Sequence, residues 1–435
     1  MKNLFDLLKR DWQATLFVFA VVVGLAISYS ALYLFHIVLG LVIVKLFYDS
    51  VIRKKLSVPL RLLSSYHLFY VFFFVWFAIS ILWAENTILA FKYLFYIFCG
   101  ASISLYYIYY SKDISKLKLL FSLTSIIVIF EMLLSILEVT TDFRLPISRH
   151  SFLLPFFGRD VFLTPEILLR NDNSYIFSMP TGFHWNPNSL SALLCIAFPF
   201  FLGNSKKLIS FLGSIVILFL VVSAGARISF WTLFIVFIIF FFVYSRKKSV
   251  INYIILCCFA FIISDGFYIF PTQSKKVYEL SLISNSDFNK ELITDNSKSS
   301  RKELLKKGLS MFYEAPIVGY GGNGARVNLN KEKELEYKDL HFFWLELLVN
   351  GGLVFFIVAG IWYFKILHKN FSISLKSNNR DLKYFSQSVF LALVGFVFTV
   401  IGPGSVIYFF PMYILLGFSV AIINIYLLEE FDIKQ

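Results

Sequence analysis

The sequence predicts an all-α polytopic membrane protein with about twelve transmembrane helices and a large external loop containing an amphipathic helix. Hydrophobic residues make up 58% of its 435 residues, among them 53 Phe and 24 Tyr. Mean hydropathy is +0.74, whereas a soluble domain is roughly half apolar. Many apolar runs reach or approach the roughly 18 residues that a spanning helix needs. The runs are continuous rather than alternating, which excludes a membrane β-barrel. The net charge of +13 sits in short loops between these runs. That is the topology signal of a membrane protein, so no nucleic-acid partner is expected.

Residues 2–12 form a short amphipathic piece suited to the inner membrane surface. The first apolar run starts near Gln13, lacks a small-residue cleavage pattern and is read as a retained helix. Spans are expected at 13–30, 32–49, 66–84, 88–110, 118–139, 186–203, 208–225, 228–245, 250–270, 342–365, 385–402 and 406–428. The chain then divides into an N-terminal bundle over 1–270 with an external loop at 140–185, an external loop domain over 271–340, and C-terminal helices over 341–435. Every even-numbered exit is basic: Arg53 to Arg61, Lys112 to Lys118, Lys206 and Lys207, Arg246 to Lys248, and Lys365 to Lys383. Those exits, and both termini, are therefore expected inside. Cys99, Cys195, Cys257 and Cys258 lie in apolar runs and make neither a disulfide framework nor a metal site. No metal and no cofactor is expected.

One short outer turn, VVSAGARISFW, breaks the charge pattern with Arg227. An arginine there either snorkels to the headgroups or serves a site, and the small residues before it admit close approach. The first external loop contains Arg144, Arg149, Arg159 and Arg170 and ends in TGFHWNPNSLSALL. Asn188 and Ser189 are expected to cap the sixth span after a turn at Asn186-Pro187, with His184 and Asn188 at the helix mouth. These two are either turn chemistry or substrate contacts.

In the second external loop, Ser300-Arg301-Lys302-Glu303 matches a capping box. Leu305, Gly308, Leu309 and Phe312 then make an apolar stripe, with Arg301 on its face. The stripe is expected to pack on the bilayer surface or the outer ends of the bundle. Pro316 and the run GYGGNG end that helix in a tight turn. Gly321 and its neighbours could cradle phosphate, although no P-loop signature follows. Arg326 lies just beyond. His341 is read at the first turn of the tenth span, where the helix N-terminus disfavours positive charge. A neutral imidazole there can take a proton from an attacking hydroxyl. Trp344 and Leu345 are expected to share its face as an apolar wall, and Glu346 to orient a partner or cap the helix. No Asp-x-Asp motif is present. Arg227, Arg301 and Arg326 beside His341 suit attack by a hydroxyl on a carbon whose leaving group is a lipid-carried diphosphate.

Four blocks, TGFHWNPNSLSALL, SAGARISFW, RKELLKKGLSMFYEAPIVGYGGNG and HFFWLELLVNGGL, resemble the O-antigen ligase/polymerase superfamily, which holds the Wzy polysaccharide polymerases and the WaaL O-antigen ligases. The resemblance covers roughly Thr181 to Leu353. It implies that Arg227 and Arg301 bind diphosphate and that His341 is the general base; Arg326, Asn188, His184, Glu346 and Gly321 are read from their own positions as candidate substrate contacts. It further implies a metal-independent, inverting glycosyltransferase in the bacterial cytoplasmic membrane. The donor is an undecaprenyl-diphosphate-linked oligosaccharide and the site faces outward. A polymerase takes a second lipid-linked unit as acceptor, and a ligase takes lipid A–core. The polymerase is preferred on the first and last blocks, and a chain-length regulator is a further partner that this reading admits. Two rivals stand. A transporter or flippase also has many helices and basic inner loops, and would show charged or broken helices at mid-membrane, with Lys45 and Lys92 as candidates. A structural assembly subunit leaves the four blocks unexplained.

Overall fold

The computed structural model describes residues 11–48, 65–141, 143–149, 151–160, 179–204, 208–244, 255, 296–331 and 339–432. In chain order these form α1 (Trp12–Val23), the paired strands β1 (Ser28–Tyr29) and β2 (Leu32–Tyr33), α2 (Leu34–Phe47), α3 (Ser65–Ser80), α4 (Thr87–Tyr110), α5 (Ile114–Thr140), α6 (Pro187–Leu202), α7 (Leu208–Ser223), α8 (Arg227–Val243), α9 (Asn296–Glu314), α10 (Gly324–Lys331), α11 (Phe343–Lys376), α12 (Arg380–Thr399) and α13 (Phe410–Asp432). A helix occupies every predicted span except the ninth, 250–270, which apart from Ile255 lies outside the described residues. Five of these helices, α4, α5, α11, α12 and α13, are long and apolar enough to cross a membrane; the other bundle helices are apolar but shorter. Among the described residues, five of the twelve expected spans thus reach full length by length and composition.

Local sequence sets the helix starts. Asn86 accepts the Leu89 N–H (3.0 Å) to open α4, and Asp113 accepts Ser115 (2.8 Å) and Lys116 (3.0 Å) to open α5. Asn379 caps α12 by accepting from Asp381 (3.0 Å). Each satisfies N–H groups that the helix cannot pair internally. The core is continuous, with Tyr107, Phe198, Phe237, Phe396 and Tyr413 fully buried, and α13 is the most enclosed of the long helices. The bundle has two chemically different ends. At one, Lys116 pairs with Asp11 (2.9 Å) and Lys118 with Asp381 (2.5 Å). At the other lie the turns 24–33, 81–86, 224–226 and 400–409, which carry no Lys or Arg.

The described part of the second long loop packs on this second end. Leu304 and Met311 of α9, Ala325 and Leu329 of α10, and Leu340, Leu345 and Val349 make one small core. The expected stripe is met in part: Gly308 is buried and Phe312 packs on this core, whereas Leu305 and Leu309 are 43% and 40% exposed and Leu304 is fully buried. The face is shifted because the helix packs on the start of α11. The expected capping box is also displaced, since α9 already begins at Asn296 and Ser300 lies inside it.

Helix α11 is broken. Gly352 has φ +72°, a left-handed backbone that L side chains avoid. The groups freed around it are closed by residues 316–321. Val349 O accepts the Tyr320 N–H (3.0 Å) and Asn350 O accepts Gly321 (2.9 Å). Leu353 N–H donates to Pro316 O (2.8 Å) and Val354 N–H to Ile317 O (3.3 Å). A Cβ on Gly352 would stand 2.3 Å from Ile317 O. Gly352→Ala is therefore expected to destabilise the fold by about 1–3 kcal/mol or more. Thermal unfolding in detergent micelles checks this, and an unchanged midpoint would mean that the break is not held by this interlock.

Candidate functional site

A cavity of about 380 Å³ opens at the end of the bundle whose short turns lack Lys and Arg. Lys92 from α4, Arg159 from the first long loop and Arg326 from α10 line it, against Asp339 as the acid. His184, Trp185, Asn186 and Ser189 form one wall, and Gly404, Ser405 and Tyr408 another. A cleft walled by three cations raises the local concentration of a multiply charged anion.

The interlock at Gly352 places Arg326. Asn350, in the break of α11, accepts the Ala325 N–H through Oδ1 (2.8 Å) and so fixes the start of α10. Asn323 donates to Leu89 O (3.0 Å) and accepts from the Tyr408 hydroxyl (3.3 Å). Trp76 and Trp83 donate to Gly351 O and Gly319 O, both at 3.1 Å. Arg326 lies 3.8 Å from Asp339, a loose and part-exposed pair worth little in itself. Arg159 is tied to the hairpin, donating to Ser30 O (2.6 Å) and Ser28 Oγ (3.1 Å), and sits 5.2 Å over the Trp185 ring.

The wall at 181–189 hangs from two carboxylates. Glu131 and Glu138, both buried on α5, accept backbone N–H groups: Glu138 from Thr181 (2.7 Å) and Gly182 (2.8 Å), and Glu131 from Phe183 (2.9 Å). Gly182 has φ +54°, and a Cβ there would meet Glu131 Oε1 at 2.7 Å. The capping assignment is corrected too. Asn186, not Asn188 or Ser189, is the N-cap of α6, accepting from Ser189 N–H (2.8 Å) with Pro187 next. Burial pushes the His184 imidazole down to about 4, so it is neutral near pH 7. Burial, then the charge of Glu346, raises the Tyr408 phenol, and burial likewise raises Tyr33.

The predicted site residues are distributed as follows. His184 and Arg326 line the cavity. Asn188 lies beside Gly402, whose Cβ position is 3.7 Å from Asn188 Cβ. Glu346 accepts the Ser405 hydroxyl at 2.8 Å and thereby orients a lining residue. His341 is beside Gly404, but outside the helix: α11 starts at Phe343, and His341 has φ +50°. Its expected place in the first turn is corrected accordingly. Trp344 and Leu345 do not share a wall with it, because Trp344 donates to Val397 O (3.0 Å) and Leu345 belongs to the loop core. Gly321 is a packing residue rather than a phosphate cradle, since its N–H is taken by Asn350 O and that of Gly322 by Ser80 Oγ (3.3 Å). Arg227 is exposed at the head of α8, at the same end of the bundle but not on the cavity lining. Arg301 lies in α9, and its side chain falls outside the described residues.

Sequence reasoning did not assign Lys92, Arg159, Trp185, Asp339, Ser405 and Tyr408 to the site, nor Glu131 and Glu138 behind it. The two glutamates carried a signal. They are ionisable, lie in an apolar run and stand seven residues apart, which puts them on one helix face.

Residues 212–360 match the family model described as O-antigen ligase. That stretch contains Arg227, Arg301, Gly321, Arg326, His341 and Glu346 and three of the four blocks that carry the resemblance; the first block, with His184 and Asn188, precedes it. The chain is also 23% identical over 385 residues to the teichuronic acid biosynthesis protein TuaE of Bacillus subtilis (strain 168), covering 82% of this chain and 71% of that protein.

Removing the Glu138 carboxylate leaves two buried N–H groups without an acceptor, at a cost of about 1–3 kcal/mol each. In Glu138→Ala, the Thr181 and Gly182 amides are expected to exchange with deuterium at least about tenfold faster than in the parent. Unchanged exchange would mean that the wall is held by other contacts.

Proposed function

We propose that this protein is a membrane glycosyltransferase of surface-polysaccharide biosynthesis, joining undecaprenyl-diphosphate-linked oligosaccharides at the outer face of the bacterial cytoplasmic membrane. The observation that carries the reading is the convergence of Lys92, Arg159 and Arg326 on one cavity, with His341 and Asp339 both beside Gly404 on its wall. The cations grip the donor's diphosphate and stabilise the charge it gains on leaving. The His341 imidazole takes the proton of the acceptor hydroxyl as the hydroxyl attacks the anomeric carbon with inversion. Arg227 and Arg301, to which the resemblance gives the diphosphate, act in this reading at the approach to the cavity. The basic end of the bundle, at Lys116, Lys118 and Lys383, is cytoplasmic, and the cavity faces outward. The family match over 212–360 and the similarity to a teichuronic acid biosynthesis protein support a role in polysaccharide assembly.

The acceptor in the preferred reading is a second lipid-linked repeat unit, which makes the enzyme a polymerase whose partners include a chain-length regulator; an O-antigen ligase would use lipid A–core. The break in α11 is the kind of feature a flippase uses. Here its freed backbone groups are closed by residues 316–321 instead of lining a passage, so the transferase is favoured.

Purified protein incubated with lipid-linked repeat units extracted from the source cells is expected to release undecaprenyl diphosphate and form longer oligosaccharides, with no need for lipid A–core. Arg326→Ala should cut the yield by about a hundredfold, and Arg227→Ala by a smaller factor. Transfer only when lipid A–core is added would make the protein a ligase. No transfer to either acceptor would remove the glycosyltransferase reading.

A further inference from the structure

Gly404 faces the cavity from the turn between α12 and α13. Its backbone is outside the left-handed region. A Cβ built there would stand 3.4 Å from Asp339 Oδ2, 3.8 Å from Asp339 Cβ and 3.6 Å from His341 Cε1. All three are ordinary contact distances, so the glycine is required neither by conformation nor by crowding. What it leaves open is a gap over its Cα, with a carboxylate oxygen and an imidazole carbon both within 3.6 Å of the Cβ position. The ring atom nearest the gap is Cε1, which lies between the two ring nitrogens. The gap belongs to the open cavity, since Gly404, Ser405 and Asp339 all line it.

We propose that this gap is the seat of the acceptor hydroxyl, and that Asp339 is a further residue of the transfer site, an assignment that rests on the glycosyltransferase reading. The hydroxyl oxygen rests over Gly404, in contact with its Cα, on the side from which a side chain would exclude it. Its O–H bond breaks and the proton passes to His341. The oxygen forms the new bond to the anomeric carbon. The bond from that carbon to the diphosphate breaks, and its electron pair leaves on the diphosphate. Asp339, across the gap, offsets the positive charge that His341 gains, as a carboxylate does for the histidine of a hydrolase triad. Arg326, 3.8 Å from Asp339, links the acceptor side to the cations that face the donor.

The test uses source cells lacking their own copy of the gene and supplied with the parent, Gly404→Ala, Asp339→Asn or Asp339→Glu. Surface polysaccharide is sized on gels, and lipid-linked repeat units in membrane extracts are measured by mass spectrometry. Gly404→Ala puts a methyl group in the gap without strain. It is expected to reach the membrane at parental levels, lower polymer yield by about tenfold or more and accumulate lipid-linked units. Asp339→Asn, which keeps the shape and loses the charge, should do the same, and Asp339→Glu should recover part of the yield. Parental polymer in Gly404→Ala or in Asp339→Asn would overturn the assignment while leaving the glycosyltransferase reading intact. If Gly404→Ala fails to accumulate in the membrane, Asp339→Asn decides. If the gene's absence leaves polymer unchanged, it is the glycosyltransferase reading that falls.

Discussion

Between Val349 and Val354 the backbone of α11 lets go of its own helix, and residues 316–321 take up the groups it frees. Unpaired backbone polar groups in an apolar surrounding cost several kcal/mol each, so the break and the loop exist only as a pair. The pairing fixes Gly319 to Asn323 against α3 and α4. It turns Asn350 toward Ala325, starts α10 at Gly324, and so delivers Arg326 to the cavity wall. A cation more than twenty residues from the break in sequence is thus positioned by four backbone hydrogen bonds.

The opposite wall uses the same device with different chemistry. Glu131 and Glu138 lie on a long apolar helix and spend their oxygens on the backbone of Thr181, Gly182 and Phe183. A carboxylate that accepts two N–H groups holds a loop more firmly than apolar contact does, because those groups have no alternative partner once buried. Arg159 closes the third side by tying its loop to the β1–β2 hairpin and resting over Trp185. Irregular segments at the mouth of a helical bundle would otherwise move on the scale of the substrate. Buried polar anchors are what give the candidate site a fixed shape, which electrostatic stabilisation of a leaving group requires.

The bundle was legible in the sequence because apolar runs and basic loops are local signals. Each described helix of the bundle falls where a run was read, and the ends separate by charge as the loops do. Details that depend on packing were not legible. The buried face of α9 runs through Leu304 and Met311 because Leu340 and Leu345 lie beneath it, and periodicity alone selected the neighbouring Leu305 and Leu309. His184 and Glu346 stand in two of the four blocks and Arg326 two residues beyond a third, so local sequence pointed to them. Lys92 was read as a transporter charge, and Arg159 as one of four loop arginines. Their convergence exists only in three dimensions. Asp339 was hidden in a run of mixed charge that reads as a solvated linker, and the glycines of GYGGNG suggested a phosphate cradle because their N–H partners, Asn350 and Ser80, lie far away in sequence.

Whether the three cations receive the diphosphate can be seen directly. Cryo-electron microscopy of the protein in lipid nanodiscs loaded with undecaprenyl diphosphate should show diphosphate density within hydrogen-bonding reach of Lys92, Arg159 and Arg326, with Gly404 and His341 facing the space beside it. Diphosphate density held at Arg227 alone, with the cavity between α4, α6 and α10 empty, would contradict the assignment.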